Sequence, residues 1–447
     1  MAEKAGLLSG LFRRSPTASL ERAEREIEAG DAARAVAMLR KLAEAGDAPA
    51  QYRLGELYEQ GRGIAQNHVD AASWFRASAE QGFVRAQAKL GEIYFAGRAA
   101  PGSVTAAVAV QEDSPDRDSL VRRLFPGGLT IRQDFAEAVR WNAAAAEAGD
   151  APAQARLAYH YAMGLGVERD YAAAERWYRA AVEQDNESGQ LGLGILLAGG
   201  YGGAADYAGA IGWFEKAVAK GNATARFCLA MLHLRGMGVA QDDVRAAALL
   251  REAAAGNQPE AMFYLGELHR LGRGVAAKTS EAETWLRRAA ARGHVRALVA
   301  LGRLFADKRG EGRGQGPDYG SAAILYRQAA DLGDTEGQRA LAQLHLVGRG
   351  VPKDAAEAAR WLRKAADQGA VAAYEELGAL HADGLGLPRD FKAAADWFHR
   401  AAAEGSARAL YHLGTLHQQG LGVARDPAAA IEWYRQAAER GNAQACL

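Results

Sequence analysis

SARALYHLGTLHQQGLGVARDPAAAIEWYRQAAERG, residues 406–441, carries the architecture of the chain in one unit. Its first half, ALYHLGTLHQQ, is helix-forming and runs into Gly420, with Gly422 following at the spacing G-x-G. Glycine tolerates the left-handed backbone that ends a helix, so the first of the pair is a stop signal. Asp426 stands four residues after the second glycine and directly before an Ala-rich run. An aspartate so placed accepts hydrogen bonds from the free N–H groups of a helix start. Pro427 then takes the first helical position, which proline prefers. The unit therefore predicts a helix A, a glycine turn, an Asp cap, a helix B and a closing glycine at Gly441.

Working outward, the same unit recurs. All eight tryptophans fall in one series: Trp74, Trp141, Trp177, Trp213, Trp285, Trp361, Trp397 and Trp433. Four gaps are 36 residues, Trp213 to Trp285 is twice 36, and Trp285 to Trp361 is 72 plus 4. The first gap, 67, is one period plus an insertion of 31. In the two double gaps the vacant Trp positions are read as filled by Ala248 and Leu325. Glycine pairs keep the same phase, from Gly61/Gly63 to Gly420/Gly422, and capping aspartates recur at Asp170, Asp206, Asp242, Asp354, Asp390 and Asp426. Neither helix of a unit is long enough to be stable alone. Each must bury its apolar face on its neighbours, which makes the array quasi-one-dimensional.

The shared elements are A-x-x-x-L-G, G-x-G-V, the capping Asp, A-x-x-W-[YF] and A-A-x-x-G. On these the unit resembles the Sel-one-like repeat, a subclass of the tetratricopeptide-like helical repeats. The resemblance implies an all-α fold, a right-handed α-solenoid of stacked antiparallel helix pairs with a 36-residue period. It also implies an adaptor or scaffold role, and bacterial members are often tied to envelope, polysaccharide or signalling systems. About ten units are expected within residues 48–447, preceded by a capping helical pair at 20–47 and a tail at 1–19.

Composition narrows the function. Lys and Arg number 54 and so do Asp and Glu, leaving no net charge and no basic stripe for phosphates. Nucleic acid is therefore not an expected partner. Two cysteines, Cys228 and Cys446, do not make a disulfide framework. Residues 1–16 place Arg13 and Arg14 after the apolar stretch, the reverse of a secretory signal. They read as a disordered tail or as a short amphipathic docking peptide. No run of 18 apolar residues occurs, so no transmembrane segment is expected. The expected location is cytoplasmic, with peripheral recruitment to the inner face of the membrane as an option.

Candidate sites lie where the repeat pattern breaks. The insertion at 99–130 contains DSLVRRLF, whose Leu120, Val121, Leu124 and Phe125 are offered to a partner if the loop docks rather than being tolerated disorder. The glycine-rich stretch 308–320 lacks the G-K-[ST] of a phosphate loop and reads as a flexible turn. Residues 442–447 open another helix A, either a frayed end or a surface for another chain.

Two recurring residue types invite chemistry. His233, His269, His345, His381 and His417 share one place in their units, with Tyr58, Tyr94 and Tyr161 in that place elsewhere. Equivalent helices lie about 8–10 Å apart, too far for two imidazoles to share one zinc. The position therefore reads as packing with a polar tip, and the Trp series reads as core. No catalytic, cofactor-binding or metal-binding residues are assigned. The expected function is a non-enzymatic scaffold that holds a protein or peptide partner on a concave face. Specificity is assigned to positions outside the repeat pattern: Arg408, Tyr411, Thr415 and Gln418 in the last full unit. The alternative is an accessory subunit of a bacterial envelope machine, for exopolysaccharide assembly or secretion, recruited through 1–16 or 99–130. Oligomeric state is left open.

Overall fold

The computed structural model describes residues 16–99, 130–307 and 316–446. Within them 22 α-helices succeed one another, every one 13 residues long except Thr279–Ala290, which has 12. At 1.5 Å per residue each is about 20 Å long. That uniformity follows from the start and stop signals. Asp170, Asp206, Asp242, Asp354, Asp390 and Asp426 all cap helix B through a carboxylate oxygen that accepts backbone N–H groups. Helix A ends on a left-handed glycine at Gly61, Gly164, Gly200, Gly272, Gly348, Gly384 and Gly420.

The A-to-B turn is closed by one recurring bond. The N–H of the helix B cap donates to the carbonyl of the His/Tyr position near the end of helix A. Examples are Asp354 to His345 at 2.9 Å, Asp170 to Tyr161 at 3.0 Å and Asn67 to Tyr58 at 3.0 Å. The two turn glycines have different tasks. Gly348 ends the helix, whereas a Cβ on Gly350 would lie 2.1 Å from the carbonyl oxygen of Tyr319, at the start of the preceding helix B. The second glycine is thus the point where one repeat's turn meets the backbone of the repeat before it.

The chain forms two compact units: Met1–Leu232 with Met237–Val239, and His233–Gly236 with Ala240–Leu447. Among its described residues, the first contains five A–B pairs, from Pro16–Glu28 with Ala32–Glu44 to Glu187–Gly199 with Tyr207–Ala219. The second contains the helix Asp243–Ala255 and then five pairs, ending with Ala407–Gln419 and Pro427–Glu439. In both, consecutive helices pack along the sequence. The core is built of small and large residues in alternation, such as Ala394, Phe398, Ala401, Leu410 and Leu413 in the second unit. The first helix begins at Pro16, inside the stretch 1–19 that was read as tail.

Two details depart from expectation. The insertion is not helix-to-loop at its base: Arg98–Ala99 pairs antiparallel with Thr130–Ile131, so two short strands interrupt the all-α pattern. In the first double Trp gap, the residue 36 after Trp213 is Leu249, not Ala248. Leu249 is 3% exposed, so an aliphatic side chain fills the core place that tryptophan holds elsewhere.

Candidate functional site

The histidine positions resolve into structure. His345 Nδ1 lies 3.2 Å from the Pro352 carbonyl and its Nε2 lies 3.5 Å from Arg327 Nη2. The carbonyl can only accept and the guanidinium only donate, so the tautomer with the proton on Nδ1 suits both contacts. His269 approaches the Ala276 carbonyl in the same way, at 3.3 Å. Where the place is tyrosine, the phenol serves the same arginine: Arg40 Nη2 donates to Tyr58 at 2.8 Å, and Arg76 donates to Tyr94. At His345 the ring thus links its own turn to the preceding helix B, whereas Nδ1 of His233 and of His417 is buried without a hydrogen-bond partner among the described residues. Among the described residues, no group of three His, Cys, Asp or Glu side chains is placed to hold a metal ion.

Tryptophans are likewise structural. Trp141, Trp361 and Trp397 are buried, and cations lie over several indole rings: Lys216 at 4.0 Å from Trp213, Lys364 at 3.9 Å from Trp361, and Arg400 at 4.6 Å from Trp397. These contacts seal the core from outside.

Of the four positions assigned in the last full unit, three come together. Tyr434 in helix Pro427–Glu439 places its hydroxyl 3.2 Å from Thr415 Oγ1 and 3.0 Å from Gln418 Oε1. Its ring packs on Tyr411, with centroids 5.4 Å apart. Arg408 is exposed on the first turn of helix Ala407–Gln419 and does not join this group. Leu120, Val121, Leu124 and Phe125 lie outside the described residues.

Some repeat equivalents of Thr415 lead to two cavities. Counting back through the units gives Ala379, Gln343, Arg303, Glu267, Met231, Ile195 and Tyr159, of which Gln343 and Arg303 line one cavity and Ile195 and Tyr159 another. In the first unit a cavity of about 310 Å³ opens between the successive A helices Ala151–Met163 and Glu187–Gly199. Its walls are Tyr159, Met163, Tyr171, Tyr178, Ile195 and Tyr201, with Ala162, Gly192, Leu196 and Arg169 completing it. Tyr159, Met163, Ile195 and Tyr201 are 41%, 50%, 42% and 53% exposed, so four large side chains around one hollow remain in water.

The groove owes its shape to residues that the repeat pattern does not require. Gly192 has no side chain because Tyr178 lies over it: a Cβ there would come 2.3 Å from Cε1 of the ring. Gly199 leaves room for Tyr201 in the same way, at 2.1 Å. Tyr201 then stacks on Tyr171, centroids 5.3 Å apart and 24° from parallel. Tyr178 is buried, and that burial, with Tyr159 beside it, raises its hydroxyl pKa, so the floor of the groove stays uncharged. These residues were absent from the sequence-based set. The signal was present in LGLGILLAGGYGG, residues 191–203, where glycines fall at 192 and 199 as well as in the turn.

Arg169 is the one cation of the groove wall, and no carboxylate lines it. Its counterparts in other units turn back on their own helix A, Arg389 to the Asp383 carbonyl at 3.3 Å and Arg425 to the Gln418 carbonyl at 3.2 Å. Arg169 makes no such bond among the described residues and is exposed at the rim. The carboxylate near the rim, Glu175, is paired with Arg179 at 2.6 Å.

A second cavity, about 430 Å³, lies at the same repeat positions in the second unit, between Val295–Asp307 and Thr335–Val347. Its character is opposite. Arg303 is paired with Glu336, Arg339 with Glu376 at 2.6 Å, and Arg349 donates to the Tyr319 hydroxyl at 3.1 Å. Its arginines already hold partners, whereas the tyrosine groove is apolar and open.

The profile of the Sel1 repeat matches twelve segments: 25–47, 48–83, 84–108, 124–150, 151–186, 188–222, 223–258, 259–294, 295–334, 335–369, 371–406 and 407–442. The unit that carries the insertion is matched in two pieces, on either side of it. Among solved structures, the chain is similar to a protective antigen present in uropathogenic Escherichia coli strains, described as displaying an SLR fold. Identity is 32%, over 92% of this chain and 80% of that one, with a TM-score of 0.61. A Sel1 repeat protein from Oxalobacter formigenes is 26% identical over 84% of this chain and 88% of its own, with a TM-score of 0.41. No curated protein matches.

Proposed function

The chain belongs to the Sel1 repeat family, and from that membership we propose that it is a non-enzymatic scaffold that holds a protein partner on the helix A side of its repeats. One observation carries this reading: the four large side chains left in water around the tyrosine groove. Leaving an apolar side chain exposed forgoes roughly 1.5–3 kcal/mol of burial for each fully coverable residue. Clustered exposure of that kind marks an interaction surface, unlike singly scattered apolar residues.

Arg408, Tyr411, Thr415 and Gln418 belong to the same reading as a further contact region, since Thr415 is the equivalent of Tyr159 and Ile195. The accessory-subunit alternative draws on residues 1–16 and 99–130, and no described residue favours it. Among the described residues, no helix is long and apolar enough to cross a membrane.

Quantitative affinity capture tests the scaffold, comparing the full chain with a Tyr159→Ser/Ile195→Ser variant of matched thermal stability. Partners lost with the variant support the assignment of the groove. An identical captured set overturns it.

A further inference from the structure

We infer that the tyrosine groove of the first unit takes a short acidic peptide segment that inserts an aliphatic or aromatic side chain and sets a carboxylate against Arg169. The inference rests on the scaffold reading and specifies the partner's chemistry.

Three features of the groove select this occupant. First, the walls are rings and aliphatic chains, from Tyr159, Met163, Tyr171, Ile195 and Tyr201, over a neutral Tyr178 floor. Water in such a hollow has few partners, and an apolar side chain displaces it favourably. A saccharide would stack on the rings but leave its hydroxyls without a ring of donors and acceptors, which argues against it. Second, the cavity of about 310 Å³ is at the small end of ligand sites. It accommodates a few side chains of a segment, not the face of a folded domain. Third, the charge is one-sided. Arg169 is the sole charged side chain in the wall, and its guanidinium is not spent on its own helix as those of Arg389 and Arg425 are. A planar fork at the rim of an apolar hollow matches a carboxylate beside the anchor. A basic segment would meet Arg169 as a like charge at the edge of a low-dielectric surface.

The geometry also explains why the second unit does not compete. There Arg303 and Gln343 stand in place of Tyr159 and Ile195, Arg303 and Arg339 already have carboxylates of their own, and Arg349 is bound to the Tyr319 hydroxyl. A visiting carboxylate must displace an existing partner and meets Asp307 and Glu336 in the wall, while at Arg169 it does neither.

The test is selection from a displayed random dodecapeptide library on the full-length protein, followed by fluorescence anisotropy of the enriched peptides. The expected result is a set in which Leu, Ile, Phe or Trp is flanked by Asp or Glu. Tyr159→Ser/Ile195→Ser should weaken these peptides at least ~10-fold, and Arg169→Glu should do the same while tolerating versions with Lys in place of the acid. Salt should weaken binding to the wild type and barely affect binding to Arg169→Ala. An enriched set with no acidic bias, or binding unmoved by Arg169→Glu, overturns the inference. So does preferential binding of oligosaccharides on a glycan array, or self-association lost in the groove variant. If the peptide result fails while Tyr159→Ser/Ile195→Ser still loses partners in affinity capture, the scaffold reading stands and only the acidic-segment inference falls. If capture is also unchanged, both fall.

Discussion

The ring of Phe398 lies over Gly378 so closely that a methyl group on the glycine would sit 2.6 Å from Cε1. The relation recurs: Gly55 faces Phe75, Gly194 faces Phe214, Gly302 faces Tyr326 and Gly414 faces Tyr434, each with a ring carbon 2.6–2.7 Å from the notional Cβ. The Leu-Gly of helix A is therefore a seat for the aromatic that follows tryptophan in helix B. Two units solve the same problem differently, one with Ala230 and Leu250, both fully buried. In the other, Ala342 replaces the glycine, the residue twenty on is Leu362, and both are again fully buried.

Gly378→Ala should accordingly destabilise. Overpacking costs about 1–3 kcal/mol, against a gain of about 1 kcal/mol from better helix propensity. A net loss of up to ~2 kcal/mol is expected by urea denaturation. Phe398→Leu alone should also destabilise, by removing ring contacts. Combined, the two substitutions reproduce the Ala342/Leu362 pair, so the double variant should be more stable than the sum predicts, with ~1 kcal/mol of favourable coupling. Strict additivity would show that the ring does not need the seat.

The turn glycines should separate by their tasks. Gly348 and Gly350 have φ of 77° and 70°, so alanine is strained at both, at roughly 1–2 kcal/mol. At Gly348 the nearest atom to a new Cβ is Lys353 Cβ, 3.0 Å away. At Gly350 it is the Tyr319 carbonyl oxygen at 2.1 Å, a backbone atom of the preceding repeat that has nowhere to go. Gly350→Ala should therefore cost more than Gly348→Ala, by ~2 kcal/mol or more. Its effect should extend to hydrogen exchange in Tyr319–Asp331, which Gly348→Ala should leave unchanged.

Acid should loosen the array before its carboxylates titrate. His160 is enclosed, with Nδ1 2.8 Å from the Leu165 carbonyl and Arg156 nearby, and burial first, then that arginine, lowers its pKa. Burial also lowers His294, His381, His399 and His412, helped by Arg296, Arg363, His417 and Arg408 respectively. A histidine held neutral in the fold takes up its proton more readily when unfolded. The stability it lends is complete above the unfolded pKa near 6.5 and is lost as pH falls from there through the folded value. The melting temperature should fall between pH 7.5 and 5, and His160→Gln should flatten part of that slope. A melting temperature constant over this range would contradict the neutral assignment.

Much of this architecture was legible in the sequence, because it is written in residues with one dominant local use. Asp426 before Pro427 can do little but start a helix, and Gly420 after LHQQ little but end one. The Trp period gave the stacking, and it survives the replacement of tryptophan by Leu249, since the place asks for apolar volume. What the period could not give was side-chain direction across units. Gly378 and Gly192 look alike in sequence, each a glycine within a helix A. One seats the ring of its own unit, and the other takes Tyr178 from the unit before. Thr415 was singled out as variable, but the cavity at its equivalents depends on Gly192, Gly199 and Tyr201, which no periodicity marks.

Gly192 therefore offers a way to close the groove from below. Its Cβ would meet Cε1 of Tyr178 at 2.3 Å, so the ring must shift within the hollow that it shares with Tyr159 and Ile195. Gly192→Ala gains about 1 kcal/mol of helix propensity and loses about 1–3 kcal/mol to the displaced ring. Stability should change little or fall modestly. Binding should fall much further, because the shifted ring occupies the space where a partner side chain inserts. Peptides or proteins that lose affinity with Tyr159→Ser/Ile195→Ser should lose at least ~10-fold with Gly192→Ala as well. Tyr178→Leu in the alanine background relieves the clash by the same exchange seen at Ala342 and Leu362, and should return part of the affinity. If Gly192→Ala bound as the wild type does, Tyr178 would not form the floor against which the partner rests.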